Sequence, residues 1–126
     1  MRLLLDTQVL LWWLKDDPKL VPPTRALIAD SRNTILVSAA SFWEISIKYR
    51  IGKIDKQGSA VLREVEALGF TIVPLAAEHF QRLEQLESKP GHNDPFDHLI
   101  LVQATAEDAV LITSDRFPRS YGIRCL

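Results

Sequence analysis

Apolar residues along the chain form short continuous runs rather than a strict alternation with polar residues. The runs predict strands at Leu3–Leu5, Thr34–Val37, Phe70–Val73 and Ala109–Thr113, with Tyr121–Cys125 as a candidate for a fifth. Strands that are apolar throughout are typical of a parallel sheet covered by helices on both faces. The pattern therefore predicts a mainly parallel sheet of four or five strands.

Segments with helical spacing separate these strands, which is the signature of an α/β fold. In chain order they are Val9–Leu14, Pro22–Asp30, Ala39–Arg50, Val61–Leu68, Ala76–Leu86 and Phe96–Glu107. Ser38 is a candidate N-cap for the third helix, and Gly52 fits its C-terminal end. We expect one domain over residues 1–126, because this length supports one core and is too short for two.

Composition and charge exclude several classes of protein. Lys plus Arg is 15 and Asp plus Glu is 16, so the net charge of −1 excludes a strongly basic nucleic-acid coat protein but not an enzyme with a local basic rim. The single cysteine, Cys125, excludes an intramolecular disulfide and a cysteine-based zinc cluster. No apolar run approaches the roughly 20 residues of a membrane span. We therefore expect a cytoplasmic protein with no membrane partner.

Acidic residues follow two of the predicted strands. Asp6 comes directly after Leu3–Leu5, and Asp115 follows Thr113 and Ser114 at the end of the fourth strand. Ligands of open parallel sheets bind beyond the carboxyl ends of the strands, so the two carboxylates converge if their strands are neighbours. Each aspartate could equally be an ordinary turn residue or helix cap.

A third acidic group lies at residues 92–97, which read HNDPFD. Pro95 fits the first position of a helix, so Asp94 fits its N-cap and has a structural role there. Asp97 shares a helical face with the apolar Ile100 and Leu101, where a carboxylate is costly unless the helix N-terminus and a cation satisfy it. We therefore favour a functional role for Asp97.

Glu44 is a fourth candidate, although its pattern alone slightly favours a structural role. Lys48 follows one helical turn later, so the ordinary interpretation is a surface ion pair worth a few tenths of a kcal/mol. As a set, however, three or four crowded carboxylates must protonate or bind a cation. Oxygen ligands without nitrogen or sulfur suit Mg²⁺ or Mn²⁺, which share phosphate oxygens with substrates. The set therefore suggests metal-dependent phosphoryl chemistry.

Four fragments of the chain resemble PIN-domain ribonucleases, and more closely VapC-type toxins of bacterial toxin–antitoxin pairs. They are Leu3-Leu4-Leu5-Asp6-Thr7, Ser41-Phe42-Trp43-Glu44-Ile45, residues 92–97 continuing into Leu99-Ile100, and Thr113-Ser114-Asp115. Each fragment alone is weakly specific, whereas the four together, in order and at suitable intervals, are fairly specific.

One departure is His98, which stands where these proteins often have arginine. A titratable group replaces a permanent cation, and we interpret it as a histidine on the helix surface.

The resemblance implies a three-layer α/β/α domain with a central, mainly parallel sheet. It implies an Mg²⁺- or Mn²⁺-dependent endoribonuclease with Asp6, Glu44, Asp97 and Asp115 as its catalytic residues. Asp6 and Asp97 would be the principal metal ligands, Asp115 would assist them, and Glu44 would position metal or water. The products would carry a 5′-phosphate and a 3′-hydroxyl. The implied partners are an RNA substrate, a cognate antitoxin and a second copy in a homodimer.

Other residues are candidates for supporting roles. Asp94, Thr113 and Ser114 are candidates to support the site or cap helices, and the candidate contacts to RNA phosphates are Lys48, Arg50, Lys53 and Arg116.

Two alternatives to a ribonuclease stay open at this point. One is a phospho-accepting receiver domain, although the middle strand runs into Pro74 and Leu75 rather than an acceptor aspartate. The other is a non-catalytic binding module on the same fold.

Overall fold

The structure is a computed structural model that describes residues 1–115 and 117–126, with the backbone alone at Phe117. Its strands are β1 (Arg2–Leu5), β2 (Thr34–Ser38), β3 (Thr71–Val73) and β4 (Val110–Ile112). Its helices are α1 (Thr7–Lys15), α2 (Pro22–Ala29), α3 (Ala39–Arg50), α4 (Gly58–Ala67), α5 (Ala77–Glu84), α6 (Pro95–Ala106) and α7 (Phe117–Ser120). The predicted α/β class is confirmed. In the described part of the chain, no helix has the length and apolar character needed to cross a membrane.

The four strands form a parallel sheet in the order β3-β2-β1-β4. Leu4 of β1 pairs with Leu36 on one side and with Leu111 on the other, which fixes the register of the three strands. The chain builds outward from β1 to β3 and then crosses back to place β4 on the far side of β1. The ends of β1 and β4 therefore form the point where strand order reverses, which is where open α/β sheets bind ligands.

Helices cover both faces of the sheet, which explains why its strands are apolar throughout. Leu3, Leu5 and Ile112 face a core cluster that includes residues of α1, α2 and α4. Leu4 and Leu111 face the other cluster, which is dominated by α6. This arrangement is the expected three-layer α/β/α domain.

The C-terminal segment departs from the predicted strand at Tyr121–Cys125. An isolated parallel bridge pairs Cys125 with Leu111. The Leu111 N–H donates to the Arg124 carbonyl oxygen at 2.9 Å, the Leu126 N–H to the Leu111 carbonyl oxygen at 2.9 Å, and the Thr113 N–H to the Leu126 carbonyl oxygen at 3.1 Å. Helix α7, which precedes this segment, was not predicted, because four residues are too few to show a helical period. The possible fifth strand is thus an isolated bridge beside β4, at residues 124–126 rather than over the whole predicted segment.

Gly58 at the start of α4 allows this helix to approach α3 closely. A Cβ at this position would overlap the Phe42 carbonyl oxygen and the Ser46 hydroxyl. We expect Gly58→Ala to lower the free energy of unfolding by about 1–3 kcal/mol, because a packed interior relieves such an overlap only by shifting. Urea denaturation measures this change. Ser59→Ala, at the exposed next position, is the control and should change stability by less than about 0.5 kcal/mol.

Candidate active site

Asp6 stands where β1 ends and α1 begins. Its N–H donates to the Ile112 carbonyl oxygen at 3.0 Å, which ties the end of β1 to the end of β4. Its carboxylate Oδ1 accepts the Val9 N–H at 2.7 Å and so caps α1. Asp6 is 8% exposed, so this cap is a buried carboxylate. The sequence left open whether Asp6 is a helix cap or a residue of the candidate site. Asp6 does cap α1, and this cap does not exclude a place in the candidate site.

Thr113 connects the acids at the ends of β1 and β4. Its side chain is hydrogen-bonded to the Asp6 carboxylate, and its Oγ1 accepts the Asp115 N–H at 3.0 Å. Ser114 and Asp115 are exposed in the turn that follows β4. These two hydrogen bonds give a physical basis for the supporting role predicted for Thr113. For Ser114, the structure gives only its exposed position in the turn.

Asp94 caps α6, as the sequence predicts. Its Oδ1 accepts the N–H groups of Phe96 at 2.8 Å and of Asp97 at 3.2 Å. Pro95 occupies the first position of the helix. This local structure places Asp97 in the first turn, with its side chain about one-quarter exposed.

Glu44 forms the ion pair with Lys48 that its sequence pattern suggests, but the glutamate is buried rather than at the surface. It is 5% exposed, and its Oε2 accepts a hydrogen bond from Lys48 Nζ at 2.8 Å. Helix α3 begins directly after β2 and contacts both α4 and α6, which brings this face of the helix against the rest of the molecule. The other oxygen, Oε1, is buried without a hydrogen-bond partner among the described residues. Such an oxygen is costly unless something else satisfies it.

The four predicted acids lie around one cavity of about 170 Å³. Asp94 is a fifth carboxylate in its lining, and Lys48 supplies a cation. The remaining lining residues are Thr7, Gln8, Leu11, Ile45 and Ile54. The convergence expected from the strand order therefore occurs, although placement alone does not assign a catalytic role to any of these residues.

Crowding and burial change the acidity of two of the carboxyls. Burial and the charges of the neighbouring carboxylates together raise the pKa of Asp97 to about 7. Burial is the largest cause, followed by the charges of Asp94, Glu44, Asp115 and Asp6. Burial also raises the pKa of Asp6 to about 6, against the hydrogen bonds from Thr113 and Val9, which lower it. Both shifts have the sign expected of carboxylates that lack positive charge. A cation in this cavity would favour the ionised forms.

The donor set fits a hard divalent cation in its chemistry, but the described residues hold no finished group of three metal-binding side chains. Carboxylate oxygens are the ligands that Mg²⁺ and Mn²⁺ prefer. Asp6 Oδ1 is already engaged with the Val9 N–H, and like charges keep the carboxylates apart. Binding would therefore require the acids to turn inward. Among the described residues, Glu44 Oε1 is a buried oxygen without a hydrogen-bond partner, and it is therefore one candidate ligand for such a cation.

Of the residues predicted to contact RNA phosphates that the structure describes, only Lys48 lies in the lining of the cavity. Lys48 lines the cavity, but its ammonium is bonded to Glu44, and this bond raises the pKa of Lys48. Arg50 and Lys53 are exposed after it, at and beyond the end of α3. Arg116 lies outside the described residues.

The sequence interpretation gave no role to His92, which lies beside Asp97. Its Nε2 is 3.6 Å from Asp97 Oδ2, and burial together with the charge of His98 lowers the pKa of His92. His98 is half-buried and contacts the His92 ring, so the expectation of a surface histidine is wrong. The sequence does contain one signal for this contact. His92 and His98 both lie close to the acidic residues 94–97, and they are six residues apart with the helix cap between them.

A family model for the PIN domain matches residues 3–121, nearly the whole chain. The chain belongs to the PIN-domain family. This match confirms the resemblance seen in the four fragments, and it decides against the receiver interpretation.

Individual proteins are also similar to this chain. Ribonuclease VapC16 of Mycobacterium tuberculosis is 44% identical over 62 residues, which are 47% of this chain and 43% of that protein. The match thus spans less than half the length of that relative. The VapBC2 complex of Rickettsia felis, solved with a DNA fragment from its promoter, contains a chain with a TM-score of 0.75 and 23% identity, covering 100% of this chain and 98% of that one. VapC20 of Mycobacterium tuberculosis, described as a toxin that cleaves the sarcin–ricin loop, has a TM-score of 0.68 and 12% identity, covering 96% of this chain and 95% of that one. At these identities the two solved structures establish the fold alone.

Proposed function

We propose that this PIN domain is a metal-dependent endoribonuclease and the toxin of a toxin–antitoxin pair. The observation that carries the proposal is the convergence of Asp6, Glu44, Asp97 and Asp115 on one cavity at the switch point of the sheet. The similarity to a protein named as a ribonuclease and to VapBC complexes supports the same activity. One alternative stays open, a binding module that uses this cavity without cutting RNA.

Asp6 and Asp97 would hold Mg²⁺ or Mn²⁺, because they enter the cavity from different elements and have the raised pKa values of carboxyls lacking a counter-charge. A bound divalent ion would activate water and stabilise charge on the phosphodiester. Asp115, linked to Asp6 through Thr113, would assist binding directly or through water. Glu44 would position metal or water through its free Oε1, while Lys48 holds its other oxygen.

The proposed partners follow from the same similarities. The chain resembles VapC-type toxins, and one chain of similar fold comes from a structure described as a toxin–antitoxin complex of Klebsiella pneumoniae, so we expect a cognate antitoxin to regulate this chain. Lys48, Arg50 and Lys53 would hold RNA phosphates at the rim of the site. A homodimer and a cytoplasmic location complete the proposal, and residues 1–126 would form its single domain.

Cleavage of RNA by the purified chain in Mg²⁺ or Mn²⁺ tests the proposal. We expect wild type to produce fragments with 5′-phosphate ends at defined positions, and Asp97→Asn to reduce the cleavage rate at least about 1000-fold, because several kcal/mol of metal-dependent stabilisation is lost. Mapping the 5′ ends of the fragments locates the cuts and excludes random degradation.

Asp108→Asn is the matched control for the change in charge. Asp108 is exposed just before β4, has φ 50°, which asparagine tolerates, and pairs with Arg124. This variant should cut at the wild-type rate. If folded Asp97→Asn also cut at that rate, its proposed role would be wrong. If wild type bound RNA and Mn²⁺ without cutting, the binding-module alternative would replace the nuclease.

A further inference from the structure

Two histidines and a tyrosine meet beside Asp97. His92 lies in the loop before α6, His98 lies in the first turns of that helix, and Tyr121 lies near the C-terminus. The ring centroids of His92 and His98 are 4.5 Å apart, and those of His92 and Tyr121 are 6.0 Å apart. The His92 ring therefore contacts both of these rings, and its Nε2 lies 3.6 Å from Asp97 Oδ2.

The contacts of His98 determine which nitrogen of His92 carries a hydrogen. His98 Nε2 lies 3.0 Å from the His92 carbonyl oxygen, which can only accept, so this nitrogen is the donor. The same His98 Nε2 lies 3.0 Å from His92 Nδ1, and the Tyr121 hydroxyl is 3.5 Å from that atom. His92 Nδ1 is therefore the acceptor nitrogen. In the neutral ring the hydrogen is then on Nε2, the atom that faces Asp97.

His92 Nε2 and Asp97 Oδ2 are separated by 3.6 Å, which is longer than a hydrogen bond. Contacts of this kind are often long in ligand-free sites and shorten when the ligand is present. Asp97 has to turn to bind a cation, because the described carboxylates do not form a finished metal group. The His92 Nε2–H donor, fixed beside Asp97 Oδ2, restricts the orientations of the Asp97 carboxylate before its side chain rotates to bind a cation.

We propose that His92 is a positioning residue for Asp97, held in the required tautomer by His98. This inference rests on the proposed function, since it assigns His92 to the orientation of a proposed metal ligand. Carboxylates that bind metals are commonly held by a hydrogen bond from a neighbouring group, and loss of such a group typically weakens metal binding 10–100-fold. His98, which stands where related toxins often have arginine, then serves to orient His92 rather than to contact phosphate.

Mn²⁺ binding to the purified chain, measured by calorimetry at pH 8 without RNA, tests the proposal. His92→Phe keeps a ring but removes the donor, and we expect its Mn²⁺ dissociation constant to rise about 10-fold. His92→Gln places an amide N–H near the position of Nε2 and should recover most of the affinity. His98→Phe removes the orienting donor and should weaken binding by a smaller factor, while the double phenylalanine variant should bind no more weakly than His92→Phe alone.

Lys89→Gln is the control in the same loop, because Lys89 lies over the Tyr121 ring and pairs with Glu87 rather than with Asp97. It should bind Mn²⁺ like wild type. Wild-type affinity in His92→Phe, or an affinity of His92→Gln as weak as that of His92→Phe in folded protein, would overturn the positioning role. If His92→Phe does not fold, His92→Gln and His98→Phe decide the question by the same affinities. Loss of the positioning role alone leaves wild-type Mn²⁺ binding and RNA cleavage intact, whereas a wild type that neither binds Mn²⁺ nor cuts RNA overturns the proposed function as well.

Discussion

Asp6→Asn is expected to abolish RNA cleavage and, in the same protein, to raise the free energy of unfolding measured without metal. Cleavage should fall by roughly 1000-fold, because the variant loses a proposed metal ligand that is worth several kcal/mol in the transition state. The fold should survive, because an asparagine oxygen can still accept the Val9 N–H that caps α1. A residue that favours activity at the expense of stability is typical of a functional site.

The gain in stability follows from the raised pKa of Asp6. In the folded chain the pKa is about 6, against 3.8 for the unperturbed group, so the folded state binds more protons between these values. Stability is therefore greatest below about pH 4 and falls as the pH rises to about 6, after which the full cost persists. A shift of about 2 units corresponds to roughly 3 kcal/mol as an upper value, and we expect Asp6→Asn to recover about 1–3 kcal/mol at pH 8.

Urea denaturation at pH 8 and pH 4, with a chelator present, measures both parts of this expectation. The gain should be large at pH 8 and small at pH 4, where the wild-type carboxyl is protonated in the folded state and about half protonated in the unfolded state. Asp108→Asn removes an exposed carboxylate from a surface ion pair, and should change stability by no more than about 1 kcal/mol at either pH. A lower stability of Asp6→Asn at pH 8 would contradict the assignment of a strained carboxylate.

The positions of Asp6 and Asp115 could be predicted because they depend on a general property of parallel sheets. Apolar runs give the strands, the carboxyl ends of parallel strands share an edge, and an acid after such a run lies at that edge. The same reasoning places Asp94 and Asp97 at a helix start, since Pro95 at the first helical position fixes where the cap must be. The ends of strands and the start of a helix depend mainly on residues that are close in sequence, so the sequence pattern predicts them.

The burial of Glu44 and the contacts of His92 could not be predicted from the sequence pattern, because their surroundings come from distant elements. Glu44 with Lys48 one turn later has the pattern of a solvated pair, but it is buried where α3 packs against other helices, among them α1, α4 and α6. His92 meets Asp97 because the loop before α6 folds back onto that helix and onto Tyr121, 29 residues later in the chain. Tertiary packing of this kind leaves no period in the sequence.

Mg²⁺ or Mn²⁺ is expected to raise the melting temperature of wild type much more at pH 8 than at pH 5.5. Metal ligands must be deprotonated, and protons compete for Asp97 below its pKa of about 7 and for Asp6 below about 6. An ion that binds only the folded state stabilises it by about 2.7 kcal/mol at 100 times its dissociation constant. For a chain of this size, this gain corresponds to a shift of roughly 10 °C.

Thermal melts at matched ionic strength, with KCl replacing the divalent salt, separate binding from charge screening. Asp97→Asn should lose most of the shift at pH 8, because one proposed ligand is gone and the repulsion that made a cation favourable is reduced. We expect this variant to keep some weak binding of the divalent ion, because Asp6, Glu44 and Asp115 still line the cavity. Equal shifts at the two pH values, or an undiminished shift in Asp97→Asn, would place the ion elsewhere on the surface and separate metal binding from the acidic cavity.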